Sequence, residues 1–70
     1  MHKYEIIIYW SREDQVFIAE VPELPRCIAH GNSQEIALRN VHEAAQLWIA
    51  TAKEFGDPVP EPKRQRLMLA

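Results

Sequence analysis

The sequence has little of what usually staples a small fold. Its 70 residues include one cysteine, Cys27, so no internal disulfide can form. Histidine is also scarce: His2, His30 and His42 stand apart, without the paired spacing by which protein metal sites are built. No metal and no cofactor is expected. There are only two glycines, and the five prolines fall in two clusters, at 22 and 25 and at 58, 60 and 62. The longest unbroken apolar run, Ile6-Ile7-Ile8-Tyr9-Trp10, is far short of the roughly 20 residues that span a bilayer. The first five residues lack the layout of a secretory signal. A cytoplasmic protein off the membrane is expected, in keeping with an unpaired cysteine. Eight Lys and Arg against ten Asp and Glu, a net charge of -2, provide no general pull on nucleic acid.

What is present reads as a folded chain. A composition of 47% hydrophobic and 26% charged residues is that of a globular domain rather than a disordered segment. Residues 1–70 are read as one domain. A chain of this size hides only about 60% of its unfolded surface, and below roughly 80 residues stability is usually completed by disulfides, a metal or a partner subunit. With the first two set aside, a homodimer or higher homo-oligomer is expected.

Residues 3–10, rich in Ile, Tyr and Trp and free of breakers, read as a first strand. Alternation puts Tyr4, Ile6, Ile8 and Trp10 on one face and Glu5, Ile7 and Tyr9 on the other. A polar turn over 11–14 leads to a second strand, 15–21, in antiparallel pairing, with Val16, Ile18 and Glu20 opposed to Phe17, Ala19 and Val21. Pro22 and Pro25 stop it. Residues 26–30 read as a short third strand, followed by a Gly31-Asn32 turn. Ser33 is a good N-cap for a helix from Gln34 to about Phe55, and Gly56 suits the left-handed residue that ends it. Ala37, Val41, Ala44, Ala45, Trp48, Ala52 and Phe55 form its apolar stripe. Residues 57–63 are a proline-rich connector, and 66–69 allow a short terminal strand. The fold class is therefore α+β: three strands in an antiparallel-containing sheet, one long helix on one face, and a short final strand (βββαβ). One helix covers one face. Both faces of the first two strands carry large apolar groups, so the second face needs another occupant.

From residue 4 to 62 the chain resembles the HicB family of antitoxins. The resemblance rests on the opening strand ending at Trp10, on Val21-Pro22-Glu23-Leu24-Pro25-Arg26-Cys27-Ile28-Ala29-His30-Gly31-Asn32-Ser33, on Glu35-Ile36-Ala37-Leu38, and on Pro58-Val59-Pro60-Glu61-Pro62. It implies a partial ribonuclease-H-like fold and a module that binds and blocks a HicA-like toxin, an mRNA-cleaving ribonuclease. Where the family has Gly after Leu-Pro this chain has Arg26, which disfavours a positive-φ turn. Longer members often add a C-terminal DNA-binding module. The few residues after Pro62 do not make one, so no direct DNA binding is expected.

Eight residues are candidates for a protein interface: Tyr4, Ile7, Tyr9, Trp10 and Phe17 as apolar or aromatic anchors, and Glu20, Glu23 and Glu61 as the charged rim. No catalytic residue is expected. A ribonuclease-H-type site would need about four acids converging on two metals, whereas Glu5, Glu20 and Glu23 are set against an Asp14 at the opposite end of the hairpin. His30 reads as a structural residue closing the third strand, His42 as a polar-face residue, and Cys27 as a packed small hydrophobe. Lys63, Arg64 and Arg66 form the one basic cluster, read as solubilising charge. The leading reading is an antitoxin-like binding module. The alternatives are a solitary homo-oligomer without a toxin and a metal-dependent nuclease.

Overall fold

Breaker-free β-branched and aromatic segments, then a capped run of helix formers, fold into β1 (Ile7–Ser11), β2 (Val16–Glu20), β3 (Ile28–Gly31) and α1 (Gln34–Glu54). A computed structural model describes residues 4–61 of the chain. The three strands form one antiparallel sheet in the order β1-β2-β3. Each strand differs slightly from its sequence expectation: β1 begins at Ile7 rather than Lys3, β2 is trimmed at both ends, and β3 is shifted to Ile28–Gly31. The terminal strand expected over 66–69, like Lys63, Arg64 and Arg66, lies outside the described residues.

Two connections explain the shifts. Between β1 and β2 the four residues 12–15 close a hairpin in which the Gln15 N–H donates to the Ser11 carbonyl at 2.8 Å. Gln15 takes φ 57, so it belongs to the turn and not to the strand. Between β2 and β3 the Val21 N–H donates to the Cys27 carbonyl at 3.0 Å, and the intervening loop is closed by Leu24 N–H to Val21 O and Cys27 N–H to Leu24 O. The second of these, with Pro25 at its second position and Arg26 at φ 65 at its third, is a type II pattern. The positive-φ turn disfavoured for Arg26 therefore forms all the same, at a backbone cost of about 1–2 kcal/mol.

The helix starts as expected, with the Ile36 N–H donating to Ser33 Oγ at 3.1 Å, and ends before Gly56 at φ 73. Its buried residues are Ala37, Val41, Ala45, Ile49 and Ala52. Two corrections follow. Ile49 belongs to the buried stripe. Phe55 does not: it is 72% exposed. The helix ends at Glu54, so Phe55 is its C-cap and lies past the buried stripe, whose last member is Ala52. Trp48 is half-buried because its Nε1–H reaches out to the Pro25 carbonyl at 2.9 Å.

The core is built mainly from small side chains: Ala19, Val21, Cys27, Ala37, Val41 and Ala45, with Leu24 and Ile49 the larger members. Small residues on both layers let helix and sheet approach closely. Gly31 marks the tightest point, since a Cβ there would lie 2.6 Å from Ile36 Cγ2 and from the Ala37 backbone nitrogen.

Candidate protein-interaction surface

Residues paired across an antiparallel sheet share a face. The register Ile8–Ala19–Ala29 and Trp10–Phe17–Gly31 lies on the helix side, while Ile7–Glu20–Ile28 and Tyr9–Ile18–His30 lie on the other. No helix of the described residues covers that second face. Ile7, Tyr9 and Ile28 are 41%, 44% and 50% exposed on it. A shallow depression of about 240 Å³, lined by Asp14, Val16, Ile18 and His30, lies at its hairpin end.

The eight interface candidates fall into three places. Ile7, Tyr9 and Glu20 share the open face. Trp10 and Phe17 lie on the helix side at the end of the β1–β2 pair, with ring centroids 4.9 Å apart in an edge-on contact. Tyr4, Glu23 and Glu61 gather at an acidic corner. There the Tyr4 hydroxyl donates to the Pro60 carbonyl, pinning the connector after α1 to the chain just before β1. Burial pushes the Tyr4 pKa up, and the neighbouring Glu23 and Glu61 carboxylates push it further the same way. Sequence reading missed Ile28 and His30 as members of the open face, because the face of β3 is set by a register that only pairing with β2 defines.

The side chains weighed for chemistry are separated. Glu20 sits on the open face, Glu23 in the corner and Asp14 in the β1–β2 turn, hydrogen-bonded to Ser11. No group of three or more His, Cys, Asp or Glu side chains among the described residues is arranged to hold a metal ion. Cys27 is 4% exposed within the core, and burial raises its thiol pKa, the opposite of the shift that activates a nucleophilic cysteine. The carbonyl of His30 accepts from Asn40 Nδ2 at 2.8 Å, and its imidazole lies on the exposed face. No described helix is long and apolar enough to cross a membrane.

Charge is unevenly divided. Within residues 4–61 there are ten Asp and Glu but only four bases, Arg12, Arg26, Arg39 and Lys53, so this body carries a formal charge of -6. Comparison with known proteins gives a match to the family described as the HicB-like antitoxin of bacterial toxin–antitoxin systems over residues 4–68. The chain belongs to the HicB-like antitoxin family. A UPF0150 protein of Thermoplasma acidophilum is 31% identical over 65 residues, covering 93% of each chain. A UPF0150 protein of the cyanobacterium Synechocystis is 35% identical over 57 residues, covering 81% of this chain and 77% of its own. No solved structure matches the chain significantly. In this HicB-like domain the Pro-Glu-Leu-Pro segment at 22–25 serves the fold directly, because Leu24, 1% exposed, plugs the end of the core while Glu23 faces the acidic corner.

Proposed function

We propose that this HicB-like chain is a non-catalytic antitoxin module that acts in the cytoplasm, neutralises a HicA-type mRNA-cleaving toxin by direct contact, and self-associates as a homodimer or larger homo-oligomer. The observation that carries the reading is the one-sided sheet, whose uncovered face exposes Ile7, Tyr9 and Ile28 beside Glu20. Inhibition of this kind requires occlusion and no chemistry. A body of charge -6 draws an RNA-binding, hence basic, partner into encounter, and the exposed apolar groups then hold it. Co-expression with the product of the adjacent reading frame is expected to give a complex on gel filtration and relief of growth arrest. A toxic neighbour that gave neither a complex nor relief of growth arrest would overturn the proposal. Purified protein is expected to leave single-stranded RNA intact with magnesium or manganese; metal-dependent cleavage lost in Glu5→Gln would establish the nuclease reading instead.

A further inference from the structure

The outer edge of β3 is a second surface, distinct from the open face. Because the Val21 N–H donates to the Cys27 carbonyl, antiparallel alternation turns Ala29 toward β2 and turns the N–H and C=O of Ile28 and His30 outward. Among the described residues one of these four groups is satisfied, the His30 carbonyl, by Asn40. Along the same edge runs a groove of about 450 Å³ between β3 and α1, lined by Arg26, Cys27, Ile28, Leu47, Trp48 and Thr51 among others. Leu47, 69% exposed, overhangs it.

An edge strand with outward donors beside a helix is the geometry in which an extended segment is received as an added strand, one side chain entering the groove. The flank of α1 above the edge is set by helical spacing: Asn40, Glu43, Leu47, Thr51 and Glu54 recur at three and four residues. Its ionised members, Glu43 and Glu54, are acidic, and Asp57 lines the groove as well, against Arg26 alone among the bases. Arg39 and Lys53 lie about 80° and 120° from the centre of this stripe at 100° per residue, with Arg39 four residues before Glu43. Self-pairing through the edge would bring the like-charged flanks of two copies together. The open face alone offers roughly 15 × 17 Å by strand spacing and rise, well below the roughly 800 Å² per partner of a standard interface. Ile28 belongs to both surfaces and makes them continuous.

We infer that the β3 edge receives an extended, basic segment of a protein partner as a fourth strand, with an aliphatic side chain seated between Ile28 and Leu47. Asn40 closes the ladder at His30, which limits pairing to the Cys27 side. The inference deepens the antitoxin reading by placing the partner, and it rests on that reading only for the partner's identity.

The test is amide NMR on the full chain titrated with a synthetic heptapeptide, a central leucine flanked by lysine and arginine. Saturable shifts are expected at Ile28, Ala29, His30, Leu47 and Thr51. Affinity is expected to fall about tenfold when alternate peptide amides are N-methylated, and about tenfold when the basic residues are exchanged for glutamate. Leu47→Lys is expected to abolish the shifts while Gln46→Ser, at an exposed helix position off this flank, leaves them. Shifts centred on Tyr9 and Ile18, indifference to N-methylation, or no shifts at millimolar peptide would overturn the inference. So would dilution of the protein alone moving the same amides, which would assign the edge to a second copy. A failed titration with intact toxin neutralisation would sink the placement and spare the antitoxin reading.

Discussion

The two faces of the sheet differ most at their centres, since on the helix side Ile8, Trp10 and Phe17 flank a middle of small residues. Toward the helix its centre is Ala19, Ala29 and Val21, met by Ala37, Val41, Ala45 and Ala52. Away from the helix it presents Ile7, Tyr9, Ile18 and Ile28. Most small domains place their largest apolar groups where they are best hidden, since a fully buried Leu, Ile or Phe contributes about 1.5–3 kcal/mol. Here the fully buried positions hold mainly small residues, and Leu24 and Val41 are the largest side chains under 2% exposed. The difference teaches that close approach of two layers is met by small residues at the centre of the covered face, with larger ones such as Ile8 and Phe17 packed around them, while Ile7, Tyr9 and Ile28 stay exposed on the open face.

The comparison can be broken most severely on the covered side. Leu24→Ala is expected to lower the unfolding free energy by about 3 kcal/mol, a large share of the roughly 4–10 kcal/mol available to 70 residues. Urea titration reads it, and a loss under about 1 kcal/mol would remove the 22–27 loop from the core. Gly31→Val, which forces a side chain against Ile36 and the Ala37 backbone, should cost about 2 kcal/mol in the same titration. Arg26→Gly should raise stability by about 0.5–1 kcal/mol, the relief of a left-handed residue less the entropy that glycine adds to the unfolded chain. On the open side, Ile7→Ser with Tyr9→Ser is expected to change monomer stability by no more than about 0.5 kcal/mol while reducing self-association in sedimentation. Unfolding of that double variant would show that the open face is part of the monomer's own core.

The mildest effect is on pH. Tyr4 and Cys27 both have folded pKa values raised, by burial first in each case, so the fold prefers their neutral forms. That contribution is fully present below their unfolded values and is lost as pH rises through the folded ones. Stability should therefore decline above about pH 9, and Tyr4→Phe with Cys27→Ala should flatten the decline. An unchanged slope in that pair would detach it from these two groups.

Much of the molecule was legible from the chain. Period-two alternation sorted the faces of β1 and β2 correctly, because it follows from strand geometry alone. Ser33 and Gly56 bounded the helix, because capping is local chemistry. The errors came where a distant element decides. Phe55 keeps the helical spacing in sequence but is the exposed C-cap past the last helical residue, and Ile28 reveals its face only through pairing with Glu20. The candidates Tyr4, Glu23 and Glu61 were chosen separately, and their meeting at one corner depends on the connector after α1 returning to the start of the sheet.

By itself, then, the sequence determined the element order, the helix ends, the absence of an internal disulfide and the excess of large apolar residues over what one helix can cover. These follow from local geometry, capping and composition. Only the tertiary structure decided that the centre of the covered face would be closed by alanines and valines, that Arg26 would hold a left-handed turn, and that Ile28 would join the open face to the β3 groove. Such outcomes depend on register and on the spacing of layers, which are properties of residues far apart in the chain.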